Sequence, residues 1–181
     1  MWRRTLNLPT LRHHHISEMI PLIAMLPEKA NVAEIGCFSG ECSIQFVMSP
    51  KVAFLLCVDQ WKGGYDETGD DVASKADMRA VRRAFEIRMG ISRKHSVFCG
   101  ASLQAAKTVQ DGVFDLVYID ADHSYEAVVA DIKTWAPKVK QGGLLAGHDW
   151  CDTLPAVREA VQDELGNPAI ILPDTSWVKR L

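Results

Sequence analysis

Acids and histidines gather at the ends of three apolar runs in this chain. Asp59 follows AFLLCV, Asp120, Asp122 and His123 follow VFDLVYI, and His148 and Asp149 follow LLAG. If those runs are parallel strands, their carboxyl ends share one edge of a sheet, where open α/β folds bind ligands. Carboxylates there accept hydrogen bonds from hydroxyls and amines, and histidine titrates near neutral pH. A packing explanation would have to place that many ionisable groups on one edge by accident.

The stretch that would face them is NVAEIGCFSG, residues 31–40. A short apolar run ends in Gly36, Gly40 follows, and a helical pattern begins near Cys42. Strand, glycine turn and helix together form a pocket at the end of a first strand, and glycine lets the backbone approach a ligand. Glu34 puts an acceptor near that strand end. The second glycine of G-x-G-x-x-G is missing, and no Lys-Ser/Thr follows, so neither a dinucleotide fingerprint nor a P-loop is present. Asp59 lies 19 residues after Gly40. That spacing favours an acid accepting from ribose hydroxyls over a turn or cap aspartate. The turn at Gly100, Ala101 and Ser102 could meet adenine in a nucleoside site, with the Ser102 hydroxyl or amide donating. Ser102 is equally suited to a plain helix N-cap.

The elements that would position these residues alternate. Residues 1–30 read as an arm followed by an amphipathic helix on Ile16, Met19, Ile20 and Ile23, which Pro21 kinks or splits in two. His13, His14 and His15 are adjacent, cannot share one helix face, and read as an exposed helix start. Strands are predicted at 32–35, 53–58, 96–99, 113–119 and 144–146, and helices from Cys42 to Met48, from Asp70 to Met89, at 103–109, after Ser124, and from Asp152 or Thr153 with Pro155 in its first turn. Ser124 can cap the helix that follows it, and Pro137 with Gln141, Gly142 and Gly143 reads as its stop. Residues 61–69 (WKGGYDETG) form a candidate lid or substrate wall. Arg79 and Arg83 read as a solvated face. Residues 169–172 and 177–180 flank a turn, so the last strand is expected to run antiparallel to its neighbour. The pattern predicts one domain over 1–181: a doubly wound, mostly parallel α/β core over 31–181 behind the arm and helix.

Composition agrees with that class. The chain has 181 residues, 48% apolar and 24% charged, with net charge −3. One domain with a proper core is expected, and the acidic balance disfavours a nucleic-acid partner. The five cysteines show no C-x-x-C pair or zinc spacing, and Cys57 and Cys99 are predicted as buried free thiols in a reducing cytoplasm. No apolar run reaches a membrane span, and no signal peptide is read, so the expected location is cytoplasmic.

Glu-x-Gly-x-x-x-Gly, Asp59, Asp-x-x-His-x-Tyr after strand four and Gly-His-Asp after strand five stand here in that order. Together they resemble the class I S-adenosylmethionine-dependent methyltransferases, over about residues 31–150. The resemblance implies a seven-stranded Rossmann-like sheet with an antiparallel C-terminal strand. It implies that Gly36, Ser39 and Gly40 cradle the methionine part of S-adenosylmethionine with Glu34 close by. Asp59 would bind ribose, Gln60 would lie beside the adenosine, Ser102 would border adenine, and Asp120 would face the methionine amine or the reacting centre.

In such an enzyme the protein aligns a nucleophile and removes its proton. His148 and His123, with Asp149, are the expected acid–base residues. Related metal-dependent O-methyltransferases use an acid after strand four and an acidic pair after strand five, positions that look like Asp120 and His148-Asp149. A metal held by Asp120, His148 and Asp149 is therefore an alternative, with manganese, iron or zinc suiting the histidine nitrogen better than magnesium. In a purely structural alternative, His148 and Asp149 pair and cap the next helix. The leading expectation is methyl transfer to a small molecule, most readily a hydroxyl oxygen. The rivals are an NAD(P)-dependent oxidoreductase and a catalytically inactive S-adenosylmethionine-binding module. Trp2, Leu6 and Leu8 would suit a homodimer contact.

Overall fold

The computed structural model describes residues 19–63 and 76–181. The arm with Trp2, Leu6, Leu8 and the His13–His15 run, most of the 61–69 loop, and the segment 70–75 lie outside the described residues. Seven strands form one sheet: β1 (Ala30–Ile35), β2 (Val52–Asp59), β3 (His95–Cys99), β4 (Phe114–Ile119), β5 (Val139–Gly147), β6 (Ile170–Ile171) and β7 (Trp177–Arg180). Their order is β3-β2-β1-β4-β5-β7-β6. The first five are parallel, and β7 pairs antiparallel with both β5 and β6. The helices are α1 (Ile20–Ala24), α2 (Glu41–Met48), α3 (Met78–Met89), α4 (Ser102–Ala106), α5 (Tyr125–Trp135) and α6 (Pro155–Leu165).

Strand alternation divides the core in two. Val32, Leu55, Leu116 and Tyr118 face Leu22 of α1, Phe46 of α2 and Phe85 of α3. Ala33, Val58, Val117 and Ile119 face Ala105 of α4, Trp135 of α5 and Val161 of α6. Glu34 belongs to the first face, level with Cys57 and Tyr118. A carboxyl group thus occupies a position where its neighbours are apolar or uncharged.

Several predicted boundaries shift. Pro21 sits in the first turn of α1, where its missing N–H costs nothing, and Ile16 lies outside the described residues. Asp77 caps α3 by accepting from the Arg79 amide at 3.0 Å, so that helix begins at Met78. The predicted helix at 103–109 is only α4, because Thr108 and Val109 donate three residues back and the Thr108 hydroxyl takes the Ala105 carbonyl. Strand β5 is longer than predicted: Gly142 and Gly143 read as a stop but lie within it. Helix α6 begins at Pro155 and not at Asp152 or Thr153. Cys99 is exposed, because β3 is the edge strand, whereas Cys57 is buried and free as expected. Arg79 and Arg83 are exposed. No helix among the described residues is long and apolar enough to cross a membrane.

Candidate active site

Backbone bonds extend the sheet beyond its strand ends and line up the residues that follow. Gly36 N–H donates to Val58 O, Gly100 N–H to Asp59 O, Asp120 N–H to Ile35 O, and His148 N–H to Ile119 O, all between 2.7 and 3.0 Å. The strand-end residues therefore stand in one row, as the sequence predicted.

The glycine turn is held by backbone geometry. Gly36 has φ of +90°, and a Cβ there would collide with the Asp120 carbonyl. Gly40 has φ of +82° and faces the Phe85 ring, which leaves no room for a side chain. Asp59 accepts from the Phe38 amide at 2.8 Å and from the Trp61 amide at 2.7 Å. The Trp61 indole returns a bond to Phe38 O at 2.9 Å, and Arg88 donates to Ser39 O at 2.6 Å and to Glu41 at 3.0 Å. Burial pushes the Asp59 pKa up, and these amides oppose the rise. Ser39 is buried within the turn.

Glu34 lies below this turn and not in the pocket. It is 1% exposed and accepts from Ser43 Oγ on α2 at 2.5 Å. Burial raises its pKa to about 8 against that hydrogen bond, so the carboxyl is mainly protonated at neutral pH. Its side-chain partner lies in the first turn of α2, the helix that follows the glycine turn.

A pocket of about 200 Å³ opens above the row. Gly36, Asp59, Gln60, Ser102, Asp122 and Asp131 line it, with Ile35, Val58, Leu103 and Ala127 among its apolar walls. It offers three carboxylates, and no lysine or arginine among the described residues lines it. The Ser102 hydroxyl donates to Asp131 Oδ1 at 2.5 Å and accepts from the Trp135 indole at 2.7 Å. Ser102 is the first residue of α4 and not its cap, which is Ala101. Its hydroxyl joins α4 to α5, leaving its pocket contribution to backbone and position.

Beside the pocket, Asp149 stands between two imidazoles. His123 Nε2 lies 2.8 Å from Asp149 Oδ2 and 3.9 Å from Asp120 Oδ1. His148 Nδ1 lies 2.9 Å from Asp149 Oδ1. Burial opposes every charge here, yet the opposite charges win. Asp120 and Asp149 push His123 up to about 11, and Asp149 and Asp120 push His148 up to about 9. The imidazoles in turn hold both carboxyls below their usual range. Asp149 has φ of +65°, a conformation that aspartate tolerates better than bulkier residues and that often marks a constrained site.

Ligand atoms of Asp120, His123 and Asp149 lie within 4.8 Å of one another. The sequence had grouped His148 with the two acids. The structure gathers His123 there and puts His148 on the other oxygen of Asp149. The alternative in which the pair caps α6 fails, since Leu154 is its N-cap and no side chain bonds there. Ser124 likewise makes no side-chain cap for α5, and Asp122 instead accepts from the Ser124 amide at 2.8 Å.

Four contributors escaped sequence reasoning: Ser43, Trp61 as a strap, Arg88 and Asp131. Only Asp131 left a local signal, being an acid on the α5 face that also carries Val128, Ile132 and Trp135.

A family model described as a methyltransferase domain matches residues 33–150. No curated protein matches the sequence. Among solved structures, the calicheamicin methyltransferase CalS11 aligns with a TM-score of 0.64 at 17% identity, over 96% of this chain and 82% of that one. A cofactor-bound protein from MTB, Rv0187, aligns with a TM-score of 0.56 at 21% identity, over 86% and 70%. A phosphoethanolamine N-methyltransferase from Haemonchus contortus, in complex with phosphoethanolamine and S-adenosylhomocysteine, aligns with a TM-score of 0.54 at 13% identity, over 76% of this chain. The present chain spans 25% of that enzyme's length. At these identities the structural likenesses show the fold.

Proposed function

The chain belongs to the class I S-adenosylmethionine-dependent methyltransferases, and from that premise we propose that it methylates a hydroxyl oxygen of a small molecule. One observation carries this reading: Ala121 and Asp122 line both the acceptor-rich pocket and the crevice of Asp120, His123, His148 and Asp149. A place for an adenosine thus adjoins a place for proton transfer.

The pocket residues fit the cofactor. Asp59 accepts from ribose hydroxyls, Gln60 lies beside the adenosine, and Gly36, Ser39 and Gly40 keep the backbone close to the methionine part. Asp120 stands at the junction, suited to the methionine amine. Three carboxylates, with no lysine or arginine among the described lining residues, suit a positively charged ligand and repel a pyrophosphate, which counts against a nicotinamide cofactor. When bound, S-adenosylmethionine supplies an activated methyl group on its sulfonium.

What remains for the chain is to align the acceptor oxygen and take its proton. His148, pushed up less far than His123, is the base in this account once it has lost its proton, so transfer is expected to rise with pH towards about 9, with Asp149 orienting its ring through Nδ1. His123 is bound by two carboxylates and orients Asp149. A divalent metal is also compatible with the donors present: Asp120, His123 and Asp149 would hold it, and it would supply Lewis acidity towards the acceptor oxygen. The mixed nitrogen and oxygen set suits manganese, iron or zinc better than magnesium.

The test is transfer of labelled methyl from S-adenosylmethionine to a panel of phenols, catechols and sugars, with manganese, with magnesium and with a chelator. O-methyl product is expected. Product on nitrogen or carbon alone overturns the oxygen assignment, and cofactor binding without transfer favours a binding module.

A further inference from the structure

Asp131 has so far counted only as one of the pocket's three carboxylates, yet its position is unusual. It is 5% exposed and lies on the buried face of α5. A carboxylate at such a position costs stability unless it is hydrogen-bonded or paired. On its core side the bonds are accounted for, since Oδ1 accepts from Ser102 Oγ, which itself accepts from Trp135 Nε1. That arrangement fixes the carboxyl plane and leaves Oδ2 for a ligand.

The same side chain lines the pocket that Asp59 and Gln60 enter from β2. Around Asp131 the wall consists of Ala101, Leu103, Ala127 and Ala130, which are small or flat enough to admit a planar ring. The walls near Asp131 supply acceptors and apolar surface. An exocyclic amine on a heterocycle, with two N–H donors and a flat apolar body, matches that combination.

We propose that Asp131 reads the 6-amino group of the cofactor's adenine, with Ser102 holding the carboxyl in register. This rests on the S-adenosylmethionine reading above and makes Asp131 a specificity-determining residue within it. Burial raises the Asp131 pKa to about 6, which leaves the carboxyl mostly ionised, and so acceptor-only, at pH 7 and above.

The test is calorimetry at pH 7.5 with three ligands: S-adenosylhomocysteine, its 6-oxo (hypoxanthine) analogue and its 6-deamino (purine) analogue. Wild type is expected to bind S-adenosylhomocysteine roughly tenfold more tightly than the deamino analogue, the usual scale for one specific hydrogen bond. In Asp131→Asn the amide can turn an N–H donor towards the ring, so the 6-oxo analogue should recover at least tenfold relative to S-adenosylhomocysteine. Equal affinity of wild type for S-adenosylhomocysteine and the deamino analogue overturns the proposal without any variant. Parallel weakening of S-adenosylhomocysteine and the 6-oxo analogue in Asp131→Asn, the mark of a merely structural role, overturns it too. If Asp131→Asn does not fold, Ser102→Ala, which frees the carboxyl, should lower the wild-type preference at least threefold, and an unchanged preference contradicts the proposal. Failure of wild type to bind S-adenosylhomocysteine at all would instead remove the cofactor reading itself.

Discussion

The two halves of the site are built from different materials. At the ends of β1 and β2 the parts are backbone: two glycines at positive φ, amides on Asp59, and carbonyls held by Trp61 and Arg88. At the ends of β4 and β5 the parts are side-chain charges, with Asp149 between two imidazoles and Asp120 close by. The first half fixes shape and tolerates little change in volume. The second stores protons and responds to charge. Cofactor binding should therefore be broken by sterics, and chemistry by electrostatics.

The strongest way to break the first half is Gly36→Ala. A Cβ there meets the Asp120 backbone, which cannot yield without moving β4. We expect destabilisation at or above the roughly 4–5 kcal/mol that marks exceptional single substitutions, with loss of S-adenosylhomocysteine binding. Denaturant titration and calorimetry check both, and near-normal affinity would show that the turn is not rigid.

Glu34 sharpens the contrast, because it is a charge site hidden within the backbone-built half. Its pKa rises from 4.5 unfolded to about 8 folded, so between those values the folded state binds the extra proton. Its contribution is complete below the unfolded pKa and declines as pH rises towards 8, by about 1.4 kcal/mol per unit. From pH 5 to pH 7 wild type should lose about 3 kcal/mol relative to Glu34→Gln. Parallel stability curves for the two proteins would show that Glu34 is not protonated in the fold.

In the charge-built half, Asp149→Asn removes the group shared by both histidines. Methyl transfer should fall by roughly two orders of magnitude or more, as for loss of an acid–base group, while S-adenosylhomocysteine affinity changes less than about threefold. A large loss of affinity would mean that the halves are not separable. The smallest effect is expected for Arg88→Ala, a strap outside the pocket. It should cost about 1–2 kcal/mol of stability and weaken S-adenosylhomocysteine only severalfold.

The same division explains what the sequence disclosed. Strand ends, glycine spacing and the row of acids are local patterns, and Gly36, Asp59, Asp120 and His148 were placed by them without coordinates. Side-chain pairings were not local. Nothing near His123 indicates that its imidazole meets Asp149, 26 positions away. Nor does the ligand-acceptor role read for Glu34 hint at Ser43, which reaches it only once α2 packs on β1. Gly142 and Gly143 misled because paired strands on both sides of β5 override their low strand propensity. Asp131 could have been found, since a charged residue among Val128, Ile132 and Trp135 breaks the apolar face that predicted the helix.

The central claim is that the pocket is shaped and charged for an adenosine without phosphates. Calorimetric titration of wild type with S-adenosylhomocysteine and, separately, with NADH tests it most directly. One-to-one binding of S-adenosylhomocysteine and no detectable heat of binding for NADH are expected. Binding of NADH with none for S-adenosylhomocysteine would contradict it.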